Sequence, residues 1–296
     1  MDIWLGDNGG ADIWIVDDPT RAVREVRNTL GQVLGTLPQK ASIEEEAAER
    51  HPGVRFGRPQ LGLAARHPRV YRRDTDGSLL GQVAYVDAWR MSRTALKNLC
   101  LDMADIFRRV EPDQSNADTI YGHEIRNLLA LACMEVESSC RAVLKANHYV
   151  PPGTKPVPRF TTNDYVKLLG PLRLDEYVVR LIGHPAIDTF SPFTGWDATK
   201  PTESLPWYAA YNETKHDREA NFRSATLLRT IHALGAAQVM MHAQFGQCAG
   251  LGVGSIDRDD FYLVRSPAWP LEERYIPPAV LAGRGRGSWR DVDLQL

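Results

Sequence analysis

Ile125-Arg126-Asn127-Leu128-Leu129-Ala130-Leu131-Ala132-Cys133-Met134-Glu135-Val136-Glu137 is the stretch whose reading decides the fold. Apolar residues return every three or four positions, and Ile125, Leu128, Leu129, Ala132, Val136 and Val143 fall within one arc of a helix. This predicts a long helix over about Thr119 to Asn147 with one face in a core. On that wheel Glu135 lies at the edge of the apolar face, whereas Glu137 and Arg141 point to the opposite side. A half-buried carboxylate needs a partner, because an unpaired one in the interior costs roughly 3 to 5 kcal/mol. Lys215, His216 and Arg218 are the expected partners of Glu135.

Outward from this helix the same periodicity recurs. Ala95, Leu99, Met103, Ile106 and Phe107 form an apolar stripe over Ala88 to Val110, which Glu111-Pro112 ends. A further long helix is predicted from about Ala220 to Phe245, closing at Gly246. Between the blocks, Pro151 to Pro158 reads as a stiff connection, followed by two short helices over 163–169 and 172–182. The Pro-rich run 183–201 carries Phe190, Phe193 and Trp196, aromatics that pin a loop to a core. The fold class is therefore mainly α: an up-and-down helical bundle over 88–249, with small β-hairpin elements at both ends.

The flanks are less regular. Residues 1–87 read as an arm or small α+β lobe, with a hairpin across Asp7-Asn8-Gly9-Gly10, a helix from Asp18-Pro19-Thr20 to Leu34, a helix or link at Glu44-Glu45-Glu46, and a second hairpin around Asp74-Thr75-Asp76-Gly77. Residues 250–296 read as an extension with a short strand at Phe261 to Val264 pairing with the N-terminal lobe, a flexible joint at 250–254, and a mobile Gly/Arg tail at 283–287.

Composition narrows the function classes. The chain has 296 residues and a formal net charge of −2, so bulk charge draws it to neither nucleic acid nor membrane. Residues 1–16 lack a basic segment followed by an apolar one, and no apolar run approaches the roughly 20 residues of a membrane span. A cytoplasmic protein without a membrane partner is expected. The four cysteines, Cys100, Cys133, Cys140 and Cys248, form no C-x-x-C pair. Reduced thiols and no metal site follow. No cofactor motif is read.

The polar chemistry gathers in Trp207-Tyr208-Ala209-Ala210-Tyr211-Asn212-Glu213-Thr214-Lys215-His216-Asp217-Arg218. As a helix it sets Asn212 beside His216 and Tyr211 beside Lys215. His216 could act as a base, Lys215 or Arg218 as phosphate donors and Asn212 as the group orienting the imidazole; Tyr211, Trp207 and Glu135 are the binding candidates. The same groups could equally connect helices in a bundle.

This segment, with Leu205-Pro206 before it, and Tyr121-Gly122-His123-Glu124-Ile125-Arg126-Asn127-Leu128-Leu129 with Ala132 to Glu137, resembles an uncharacterised family of bacterial proteins with a W-Y-x-A-Y-N-x-x-K-H-D-R signature. More remotely, helical order and the polar cluster are similar to HEPN-domain proteins. The resemblance implies a bundle of four to five helices, frequently dimeric, at home in bacterial toxin, defence or stress systems. It implies either a non-catalytic scaffold or regulator that binds a protein partner, RNA or a nucleotide, or a metal-independent endoribonuclease centred on His216. The HEPN motif places an arginine and a polar residue four to six positions before its histidine. Here Tyr211-Asn212 stands in that place, so the scaffold reading leads.

Overall fold

In the computed structural model, residues 2–8, 11–17, 22–27, 30–36, 45, 48–49, 52–72, 83–153, 159–246, 260–276 and 289–296 are described. The chain is mainly helical. Its central element is α7 (Leu227–Phe245), buried on nearly all sides from Leu227 to Phe245. A helix covered around nearly its whole circumference belongs inside a core, and Ala233, Ala236, Ala237 and Ala243 let its neighbours approach closely. The chief neighbour is α2 (His123–Ala146); α1 (Val83–Phe107) crosses both, and α5 (Pro206–His216) packs against α2 and α7. Thr226 caps α7 by accepting from Arg229 N at 3.4 Å. Gly246 ends it at φ +68°, where a Cβ would stand 2.5 Å from the Tyr71 ring, so only glycine fits.

Several elements differ from the sequence reading. The helix expected from 18 to 34 is replaced by strands β3 (Ala22–Arg27) and β4 (Leu30–Thr36), which continue the hairpin of β1 (Asp2–Asn8) and β2 (Ala11–Asp17). Together with β5 (Phe56–Gly57) they form a five-stranded sheet in the order β4-β3-β2-β1-β5. Val23, Val26 and Val33 favour a pleated backbone and Gly31 and Gly35 disfavour a helix, which outweighs the Asp-Pro-Thr start signal.

The helix expected over 172–182 likewise yields. Short turns α3 (Thr162–Tyr165) and α4 (Leu169–Leu172) lead into strand β7 (Val178–Leu181), whose Val179 and Leu181 turn inward while Arg180 faces out. Strand β8 (Phe261–Arg265) pairs antiparallel with β7, not with the N-terminal lobe as expected. The long helix expected from Ala220 is interrupted: α6 (Arg218–Asn221) and a 3-10 turn at Phe222–Ser224 precede α7. Phe193 is fully buried and Trp196 nearly so, pinning the Pro-rich loop as read from sequence.

Residues 289–296, the end of the C-terminal extension, are docked. Strand β9 (Arg290–Asp291) pairs in parallel with β6 (Ala65–Arg66), and buried Arg66 meets Asp291 Oδ1 at 2.9 Å. Asn147, at the end of α2, donates to Pro68 O and accepts from Leu294 N at 3.0 Å, stapling both flanking segments to the bundle. The second hairpin at 74–77, the joint at 250–254, the Gly/Arg run at 283–287, Cys248 and most of 44–48 lie outside the described residues. No helix among the described residues is long and apolar enough to cross a membrane.

Candidate functional site

The candidate site is the seam where α5 meets α2. Pro206 occupies the first turn of α5, where its missing N–H costs nothing, and extended Leu205 precedes it. Trp207 anchors the helix: its ring is buried, its Nε1 donates to Pro192 O at 2.8 Å, and Phe193 meets it edge-on at 6.0 Å. One residue on, Tyr208 donates its hydroxyl to Glu137 Oε1 at 2.7 Å. Tyr211 lies against Tyr208 at 5.6 Å between ring centres. Lys215, one turn further, donates to the Tyr211 hydroxyl at 3.4 Å and sits 5.2 Å above its ring centre.

Burial and the Glu137 charge raise both tyrosines above the ordinary phenol range, Tyr208 well above it and Tyr211 against the opposing pull of Lys215. The thiols of Cys133 and Cys140 are pushed up by burial as well, so neither is a ready nucleophile. Two protonated phenols, Tyr208 donating to Glu137 and Tyr211 accepting from Lys215, are a structural arrangement. They offer no base.

The carboxylate at this seam is Glu137, not Glu135. Glu135 is half-buried, as read from sequence, and burial raises its pKa against the charge of Arg69. Among the described residues no ion pair joins it to Lys215, His216 or Arg218. Glu137, expected on the solvent side, faces α5. The physical reason is that α2 is covered twice, by α1 and α7 on one side and by α5 on the other. Cys133, Cys140 and Leu144 are buried beyond the six-residue arc, and Glu137 lies one turn from both cysteines. A wider arc drawn through those residues would have found it.

His216, Lys215 and Arg218 are exposed and Asn212 is half-buried, with no hydrogen bond from Asn212 to His216 among the described residues. At Asp217 the backbone turns out of the helix, with φ −140° and ψ 90°, and its carboxylate caps α6 through Ala220 N at 3.1 Å. Arg218 therefore starts a new helix. Three carboxylates, Glu213, Asp217 and Glu219, lie within three residues of His216 along the chain, against two cations, Lys215 and Arg218. Among the described residues no three His, Cys, Asp or Glu converge on a point fit for a metal ion.

Replacing Tyr208 by Phe should cost about 1 to 3 kcal/mol, because the Glu137 carboxylate would keep its half-buried place and lose its donor. Lys215→Ala and His216→Ala should stay within about 0.5 kcal/mol of the wild type, as exposed substitutions do. Thermal melts of the three variants check this ranking. A His216→Ala loss larger than that of Tyr208→Phe would reverse the assignment of the anchoring group.

Comparison with protein-family models, with curated proteins and with solved structures finds no match to this chain.

Proposed function

We propose that the chain is a HEPN-like helical scaffold or regulator that acts by binding a partner and not by catalysis, in the setting of bacterial defence or stress response. The observation that carries this reading is the division of labour on α5. Half-buried Tyr208 donates across the seam to Glu137 of α2, buried Tyr211 packs against Tyr208, and exposed Lys215 is engaged by Tyr211 of its own helix. What remains, His216 and Arg218, stands in solvent among carboxylates. Metal-free cleavage of RNA needs a base at the ribose hydroxyl and cations at the phosphate, in a pocket that excludes water. Glu213, Asp217 and Glu219 repel a phosphate backbone at that spot, which favours a protein partner over RNA.

The test is incubation of a mixed RNA pool in EDTA with the wild type and His216→Ala, with thermal melts of both. The expected result is no cleavage by either protein and matching melts. Cleavage by the wild type that disappears in the variant at an unchanged melt would make the chain a metal-independent endoribonuclease centred on His216.

A further inference from the structure

The end of α1 meets the ends of β7 and β8 around a hollow of about 290 Å³, a size at the small end of ligand pockets. Met103 and Phe107, one turn apart on α1, give it an apolar side, and Leu181 and Ile182 at the end of β7 give it another. Gly183, at φ +84°, then turns the chain so that His184 lines the same hollow. Ile182 donates its N–H to Asp260 O at 2.8 Å, which holds Asp260 at the rim, and Arg108 closes the rim just past α1.

His184 is fixed on two sides. Its Nδ1 lies 2.9 Å from Glu111 Oε1, and Phe107 meets the ring edge-on at 4.5 Å between centres. A carboxylate only accepts, so Nδ1 carries the proton, and in the neutral imidazole Nε2 is left as an acceptor. Nε2 has no hydrogen-bond partner among the described residues. Arg108 reaches Asp105 at 3.3 Å in an exposed pair, which holds it weakly and leaves further N–H donors of the guanidinium free. Asp260 makes no ion pair among the described residues.

An apolar floor is thus ringed by a cation, a carboxylate and an oriented acceptor nitrogen. A ligand of one sign would leave one of these groups facing like charge: a simple carboxylic acid would meet Asp260, and a simple amine would meet Arg108. A small zwitterion matches both. We propose that the hollow binds a free α-amino acid with an apolar side chain, its carboxylate at Arg108, its ammonium at Asp260 and His184 Nε2, and its side chain against Met103, Phe107 and Leu181. The proposal goes beyond the scaffold reading and does not depend on it, because none of these residues belongs to the α5 seam.

Calorimetric titration of the full chain tests it with L-leucine and L-phenylalanine. Each is set beside its analogue without the ammonium, isocaproate or hydrocinnamate, and its analogue without the carboxylate, isoamylamine or phenethylamine. At least one amino acid should bind, and its two analogues at least about tenfold more weakly, since each leaves a charged rim group unmatched. Arg108→Gln, Asp260→Asn and His184→Phe, which keeps a ring against Phe107, should each weaken that amino acid by about tenfold or more, with folding checked by thermal melts. Asp260→Asn should also narrow the gap between the amino acid and its ammonium-free analogue, a change that general loosening of the fold would not produce. No binding of either amino acid, an analogue that binds as tightly as its parent, or variants that keep full affinity would each overturn the proposal. RNA cleavage by His216 would leave it untouched, which keeps the two readings separable.

Discussion

Trp207→Ala is expected to lower stability by about 3 to 5 kcal/mol, the largest effect of any single substitution in the α5 seam. The indole is 2% exposed, packs against Phe193 and Tyr208, and gives its N–H to the buried carbonyl of Pro192. Truncation removes the apolar contact and leaves that carbonyl without its donor. Trp207→Phe separates the two contributions, since it keeps most of the ring packing and should cost about 1 to 3 kcal/mol. Urea midpoints of the two variants measure the difference. A Trp207→Ala protein within about 1 kcal/mol of the wild type would mean that α5 is held elsewhere.

Acid should destabilise the chain well before carboxylates are fully protonated. His232 stacks on Phe190 at 4.2 Å, and His242 lies between the rings of Tyr71 and Tyr177 at 5.8 and 5.5 Å. Burial lowers the pKa of both to about 4, for His232 despite the charge of Asp118. The folded pKa is thus below the unfolded value of roughly 6.5, and the unfolded chain takes up protons first. The stability these rings contribute is present in full above about pH 6.5 and is lost as pH falls towards 4. By pH 5 the loss is roughly 2 kcal/mol for each histidine and roughly 4 together. Urea unfolding at pH 7 and pH 5 measures it. His232→Phe, which keeps a ring against Phe190, should remove about half of the pH dependence. Equal stability at the two pH values would show that neither ring is shielded.

The long helices were legible because each carries an unbroken apolar stripe whose period matches the α-helix: Leu96 to Ile106 in α1, Ile125 to Val143 in α2, Leu227 to Phe245 in α7. Such a signal is local, and enough of it accumulates over about three to five turns to outweigh any single contrary residue. The β1–β2 hairpin was legible for a related reason, its Asp-Asn-Gly-Gly turn lying between β-branched and aromatic runs. Short segments fared worse. Val178–Leu181 and Ala22–Thr36 hold too few residues for periodicity to separate strand from helix, and pairing with β8 and within the N-terminal sheet decided them.

The candidate site divides along the same line. From sequence alone it followed that Trp207, Tyr208, Tyr211, Lys215 and His216 share one helix, that Tyr211 and Lys215 are neighbours on it, and that a half-buried carboxylate of α2 needs attention. Spacing along a helix fixes those relations whatever the surroundings. Which carboxylate meets α5 depended on how many elements cover α2, a property of the assembled bundle. Tertiary packing gave Glu137 to Tyr208, left Glu135 to the field of Arg69, buried His232 and His242 among aromatic rings, and put His216 in solvent. A side chain's partner across the core is set by contacts between residues distant in the chain, and no local pattern encodes that distance.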